Sequence, residues 1–147
     1  MKKFFLLGLF LCLATLGWSQ KSTGQKNSPI GIWTNEEKEA RFEIYQCGDR
    51  LCGKIIWLKE PNRDGKPKVD QFNPDPKLQK RPVMGLVFLK GFEYDEDGKW
   101  DDGTIYDPKS GKTYSSYMKI LGKDKLEVKG YIGISLIGRS QTWTRVQ

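Results

Sequence analysis

The sequence predicts an all-β fold: about eight short antiparallel strands, which suit a single closed up-and-down β-barrel or a sandwich, interrupted by one long proline-rich loop. Three observations carry this. Short runs with period-two alternation of apolar and polar residues recur along the chain. Turn dipeptides punctuate them: Gly48-Asp49, Asp97-Gly98, Ser110-Gly111 and Gly122-Lys123. No stretch carries a convincing amphipathic helical period. At 147 residues, with 37% hydrophobic and 12% aromatic residues, the chain can fill one core and one domain. Charged residues make up 29%, too many for a chain that crosses a membrane repeatedly in helices.

The first element reads as an address. Lys2 and Lys3 precede an apolar run from Phe4 to about Leu16, and Gly17 and Ser19 are small residues before a cut after Ser19. This is the order of a bacterial secretory signal peptide over residues 1–19. The apolar run is shorter than the ~20 residues of a spanning helix, so no transmembrane anchor is expected in the mature chain. Cys12 lacks the small residues that lipoprotein processing needs. Export to the periplasm or the medium follows as the expectation. Loss of Lys2 and Lys3 would lower the net charge from +7 to +5. Residues 20–29 (QKSTGQKNSP) read as a flexible leader, and residues 30–147 as the barrel domain.

The strands follow in order at 30–34, 40–47, 52–58, 85–94, 99–106, 112–121, 124–132 and 138–146. Phe42 and Ile44 share one face of the second. Leu126, Val128 and Gly130 share a face of the seventh, and Tyr114, Ser116, Met118 and Ile120 a face of the sixth. Cys47 and Cys52 flank the Gly48-Asp49 turn, a spacing that suits a disulfide at a hairpin neck in an oxidising compartment. Closing the sheet into a barrel removes its edges and leaves a centre able to hold one small ligand. The run Leu86–Leu89 (LVFL) points instead to a filled interior. Residues 59–84 hold five of the seven prolines: Pro61, Pro67, Pro74, Pro76 and Pro82. A connection this long is a binding element or a surface hairpin link. We expect it to fold back over one barrel opening, anchored through Asp70, Asn73, Asp75 or Arg81, with Phe72 and Leu78 docked on the barrel.

Taken together, Gly31-Ile32-Trp33, Cys47 to Leu58 (CGDRLCGKIIWL), Asn73-Pro74-Asp75-Pro76, Arg81-Pro82, Gly103 to Pro108 (GTIYDP), Gly111 to Tyr114 (GKTY), Gly130 to Gly133 (GYIG) and Gln141 to Arg145 (QTWTR) resemble the bacterial family of secreted proteins DUF2147. The resemblance spans about 30–146. It implies a calycin-like, or lipocalin-like, β-barrel and no established reaction, cofactor or ligand. Lipocalin-like barrels tend to carry Gly-x-Trp on the first strand and a basic residue near the last. Gly31, Trp33 and Arg145 occupy those places, in a structural role: a guanidinium on an indole that closes one end.

The inventory for catalysis is thin. There is no histidine, which removes the commonest general base and metal ligand. Asp95-Glu96-Asp97-Gly98 and Asp101-Asp102-Gly103 miss the calcium-loop template, because Gly98 falls at position four, and read as tight turns with solvated carboxylates. Asn62-Arg63-Asp64-Gly65 reads the same way. Asp70, Asp75, Asp102 and Asp107 could furnish a carboxylate pair, but nothing in the sequence places two across a cleft. Lys112, Ser115 and Ser116 match no nucleophile motif, and Gly111-Lys112-Thr113 lacks the earlier glycine of a phosphate loop. No catalytic residue, metal site or cofactor is assigned, and an enzyme of unidentified class ranks third among the readings.

The mild basic balance, with clusters at Lys77, Lys80 and Arg81 and at Lys119, Lys123, Lys125 and Lys129, suits an envelope component better than nucleic acid, which an exported chain is not expected to meet. Candidate ligand-binding residues are Lys54 and Trp57 on the third strand, and Asp70, Asn73, Asp75 and Arg81 on the long loop. Trp100, Tyr106, Asp107, Lys112 and Tyr114 complete the set, as aromatic wall and polar anchors. Turn formation at Asn73–Pro76 and Asp107-Pro108, and core packing of the aromatics, are the competing roles. The leading expectation is a non-enzymatic exported barrel that binds a small or amphipathic ligand. The alternative is a protein–protein or envelope-polymer module with a filled barrel.

Overall fold

The structure, a computed structural model, describes residues 28–146; the segment read as a signal peptide and most of the leader lie outside the described residues. Eight strands close into an antiparallel barrel: β1 (Gly31–Thr34), β2 (Ala40–Cys47), β3 (Arg50–Leu58), β6 (Val87–Tyr94), β7 (Lys99–Asp107), β8 (Lys112–Gly122), β9 (Lys125–Tyr131) and β10 (Gly138–Val146). Each pairs with its neighbour in the chain, and β10 returns to β1 through Trp33 opposite Arg145. The expected strands stand, with ends displaced by no more than a few residues. A two-stranded hairpin, β4 (Asn62–Arg63) and β5 (Lys66–Pro67), stands in the long connection between β3 and β6.

Turn chemistry places the bends. Asp97 and Gly98 both have positive φ, as do Asp64 and Gly65, the conformation of a tight two-residue hairpin turn. Asp101-Asp102-Gly103 departs from expectation: it is no turn but a bulge inside β7, where the register against β8 shifts between Trp100 and Gly103. Asp102 takes φ 58° there. Gly103 is required because a Cβ would overlap the ring of Phe92. Bulges of this kind bend a sheet toward closure.

The two barrel ends differ. At one, the connections are the short turns 48–49, 95–98 and 123–124. There Arg145 lies 4.2 Å over the Trp33 ring and donates to the Ile30 and Ser28 carbonyls, each at 3.0 Å. Trp33 Nε1 donates to the Pro29 carbonyl at 2.7 Å. Ser28 and Pro29, at the edge of the segment read as leader, are thus tied to the barrel. A Cβ at Gly31 would stand 2.5 Å from Arg145 Nη1, so glycine makes room for the cation. Below this plug the interior is packed by Trp33, Leu89, Phe92, Met118 and Leu126, all fully buried. Cys47 and Cys52 form the expected disulfide, Cα–Cα 5.5 Å, at the neck of the β2–β3 hairpin.

Candidate functional site at the barrel mouth

The opposite end gathers the longer connections, 35–39, 59–86, 108–111 and 132–137. Inward-facing residues of successive strands stop short of filling it. They leave a cavity of about 1010 Å³, at the upper end of the ~300–1,000 Å³ of small-molecule sites. Its deep wall is apolar and aromatic: Phe42, Ile55, Phe88, Val128 and Trp143. Phe42 stacks on Trp143 with ring centroids 4.4 Å apart and on Phe88 at 4.9 Å. Higher up, Ile105, Tyr114, Tyr131 and Gln141 line it, and Gln141 accepts from Trp143 Nε1 at 3.1 Å. The rim is polar and mostly cationic, with Lys59, Arg63, Lys68, Lys109 and Arg139 against Glu39, Glu60 and Asp107. The interior is therefore filled at one end and open at the other, and the LVFL run contributes to both: Leu89 to the filled part, Phe88 to the cavity wall.

The long connection folds over this mouth. Val69, Gln71, Phe72 and Val83 border the cavity. Val69 bridges Pro82, and Asp70 N–H donates to the Arg81 carbonyl at 3.0 Å. Asp70 is fully buried. Its Oδ1 accepts from the Tyr106 hydroxyl at 2.5 Å, and its Oδ2 accepts from Asn73 Nδ2 and Arg81 Nε, each at 2.8 Å. Asn73 Nδ2 also donates to the Tyr106 oxygen at 3.1 Å. A buried carboxylate so surrounded is compensated by a cation and by hydrogen bonds, as burial of charge requires. Burial, then the bond to Asp70, raises the Tyr106 phenol above its ordinary value. A second fastening is steric: the Phe72 carbonyl presses on Gly111, where any Cβ would overlap it.

Four of the residues singled out from the sequence, Asp70, Asn73, Arg81 and Tyr106, are thus brought together, as an anchor for the loop. Tyr106, Asp107 and Tyr114 border the cavity. The others do not. Asp75 is exposed and serves its own loop, where its side chain caps the Lys77 N–H of a short 3-10 turn, Pro76–Leu78. Lys54 pairs with Glu43 at 3.0 Å on the outer face, and Trp57 stacks outside under Arg41 at 5.0 Å. Trp100 packs on Tyr94 near the closed end. Lys112 is exposed opposite Asp107. Phe72 and Leu78 stay 51% and 37% exposed; Val83 and Leu86 carry the loop's burial instead, because Gly85 N–H and the Leu86 carbonyl bond the backbone of Ile55 and draw that end into the sheet. Phe88, Trp143, Val128 and the rim cations were not among the sequence candidates. Their inward positions on alternating strands are the available signal. Among the described residues no group of three acidic or cysteine side chains could hold a metal.

Two comparisons with known proteins bear on this site. Residues 31–145 match the family described as "Uncharacterized protein conserved in bacteria (DUF2147)". The fold is similar to a solved structure of protein HP1028 from Helicobacter pylori, described as belonging to the lipocalin family. The TM-score is 0.72 at 25% identity, over 82% of this chain and 84% of that one. No curated protein matches the chain.

Proposed function

Since the chain belongs to the DUF2147 family and folds as a lipocalin-like barrel, we propose that it is a non-enzymatic, exported bacterial protein that binds a small or amphipathic ligand in the mouth cavity. The observation that carries the reading is the cavity itself: an aromatic floor at Phe42, Phe88 and Trp143 beneath a charged rim. An apolar tail gains from burial against the floor, and a polar end stays among the rim side chains. The lipocalin description of the similar structure agrees with ligand binding. The lysine-led apolar segment at the N-terminus supports export, and so does the Cys47–Cys52 disulfide, a bond that persists in oxidising compartments. The open cavity favours this reading over a filled interaction module. The polar cluster of Asp70, Asn73, Arg81 and Tyr106 is consumed by loop anchoring.

Titration with an amphipathic fluorophore such as anilinonaphthalene sulfonate tests it. Saturable uptake that quenches tryptophan emission is expected, and Val128→Trp, which narrows the aromatic floor, should weaken it without unfolding the barrel. Native mass spectrometry of protein purified from its own host should show a bound mass. Absence of both uptake and bound mass would overturn the proposal.

A further inference from the structure

We propose that the β9–β10 loop, residues 132–137, is a docking tip that seats the barrel mouth on an anionic lipid bilayer. Turn sequences ordinarily draw glycine, proline, asparagine, aspartate and serine. Here Ile132, Ile134, Leu136 and Ile137 are 73%, 59%, 86% and 68% exposed. No charged residue occurs between Lys129 and Arg139. Ile132 and Ile137 border the cavity, whereas Ile134 and Leu136 do not. An exposed apolar cluster of this kind marks an interaction surface.

The charge around it selects the occupant. The mouth carries five cations and three carboxylates, and none of the five forms an ion pair among the described residues. An apolar tip on a barrel mouth whose rim holds more cations than carboxylates matches a bilayer, whose acyl layer lies under an anionic headgroup plane, on both counts at once. Two copies of this chain meeting mouth to mouth would oppose their cationic rims. Docking stands on the loop and the rim alone. Its consequence, that a ligand passes between bilayer and cavity without crossing water, rests on the ligand-binding reading above.

Vesicle co-flotation of the protein as its host processes it, using phosphatidylglycerol-containing against pure phosphatidylcholine vesicles, tests the docking. Binding to the anionic vesicles is expected, at least about tenfold weaker on neutral ones and weakened by salt, since surface charge is screened within a Debye length. Leu136→Asp should lower it about tenfold or more with an unchanged melting temperature, since the side chain is in water. Leu136→Trp should give an emission that shifts to the blue and is quenched by brominated lipid, a signal that a retained N-terminal apolar segment cannot mimic. Equal flotation of wild type and Leu136→Asp, or no lipid quenching at position 136, overturns the proposal. So does a Leu136-dependent dimer in the absence of lipid. Fluorophore uptake in vesicle-free buffer is read separately: uptake without flotation refutes docking and keeps the cavity, and flotation with neither uptake nor a bound mass does the reverse.

Discussion

The Tyr106 hydroxyl donates to a carboxylate oxygen of Asp70 at 2.5 Å, across 36 residues of sequence. Asp70 belongs to the long loop and Tyr106 to β7, so this bond, with Asn73 and Arg81 on the other oxygen, fastens the loop to the barrel.

Asp70→Asn should therefore destabilise the fold by about 1.5–3 kcal/mol, the range for hydrogen bonds to a charged group. Arg81→Ala should cost at least as much, because it strips the fully buried Asp70 carboxylate of its cation. Asp75→Ala removes a local cap and should cost about 0.5–1 kcal/mol without loosening the loop. Urea midpoints and hydrogen exchange across residues 69–82 separate the two: loop amides should exchange faster in Asp70→Asn and unchanged in Asp75→Ala.

Gly111→Ala should undock the same loop by a different route. Its φ of 71° disfavours a side chain, and the new methyl would run into the Phe72 carbonyl. We expect a loss of about 1–3 kcal/mol, as for overpacking, with faster exchange near Phe72. An unchanged midpoint would show that the loop does not rest on the β7–β8 turn.

How far the sequence disclosed all this depends on the kind of signal. Alternation placed the strands, because a one-residue slip in Phe42–Ile44 or Leu126–Val128 would turn the core face to water. The turn dipeptides placed their ends. The cavity was not legible, since Phe42 and Val128 bear the same inward apolar signature whether a side chain or empty space lies opposite. Asp70, Asn73 and Arg81 were found by residue type on a proline-rich loop, but their partner Tyr106 is set by how the loop closes, which no local pattern encodes. β3 presents Lys54 and Trp57 outward, to Glu43 and Arg41, which residue type alone does not reveal.

Alkaline pH should weaken the barrel. Burial, then the hydrogen bond to Glu127, pushes the Tyr117 phenol up to about 12, against ~10 in an unfolded chain. The folded state holds this proton more tightly, so the contribution is whole below pH ~10 and fades as pH rises toward about 12. Tyr106 shifts in the same direction. Tyrosinate absorbance should show late-titrating phenols among the six tyrosines, and Glu127→Gln should bring one of them earlier. A single transition for all six at the ordinary value would refute this.

The Ser116 hydroxyl is buried with no hydrogen-bond partner among the described residues. Leaving such a group unmatched costs about 1–3 kcal/mol, so Ser116→Ala should be neutral or stabilising by thermal denaturation. A clear loss of stability would reveal a partner for the hydroxyl.

The Cys47–Cys52 bond closes a loop with a sequence separation of 5, which in the chain-entropy account contributes about 2 kcal/mol. Reductant should lower the melting temperature modestly and leave the β2–β3 pairing in place. Free thiol at these positions before reduction would contradict the bond.

Arg145 reaches the carbonyl of Ser28 at 3.0 Å, so residues 117 apart in the chain are neighbours in space. With β10 paired to β1 as any other two strands are paired, the barrel is a ring whose sequence start is arbitrary. A circular permutant that links Val146 to Ser28 by a short glycine-serine bridge and opens at Asp97-Gly98 should keep every strand pairing. Its cut would lie at the end opposite the mouth, and the bridge from Val146 to Ser28 would become one more turn.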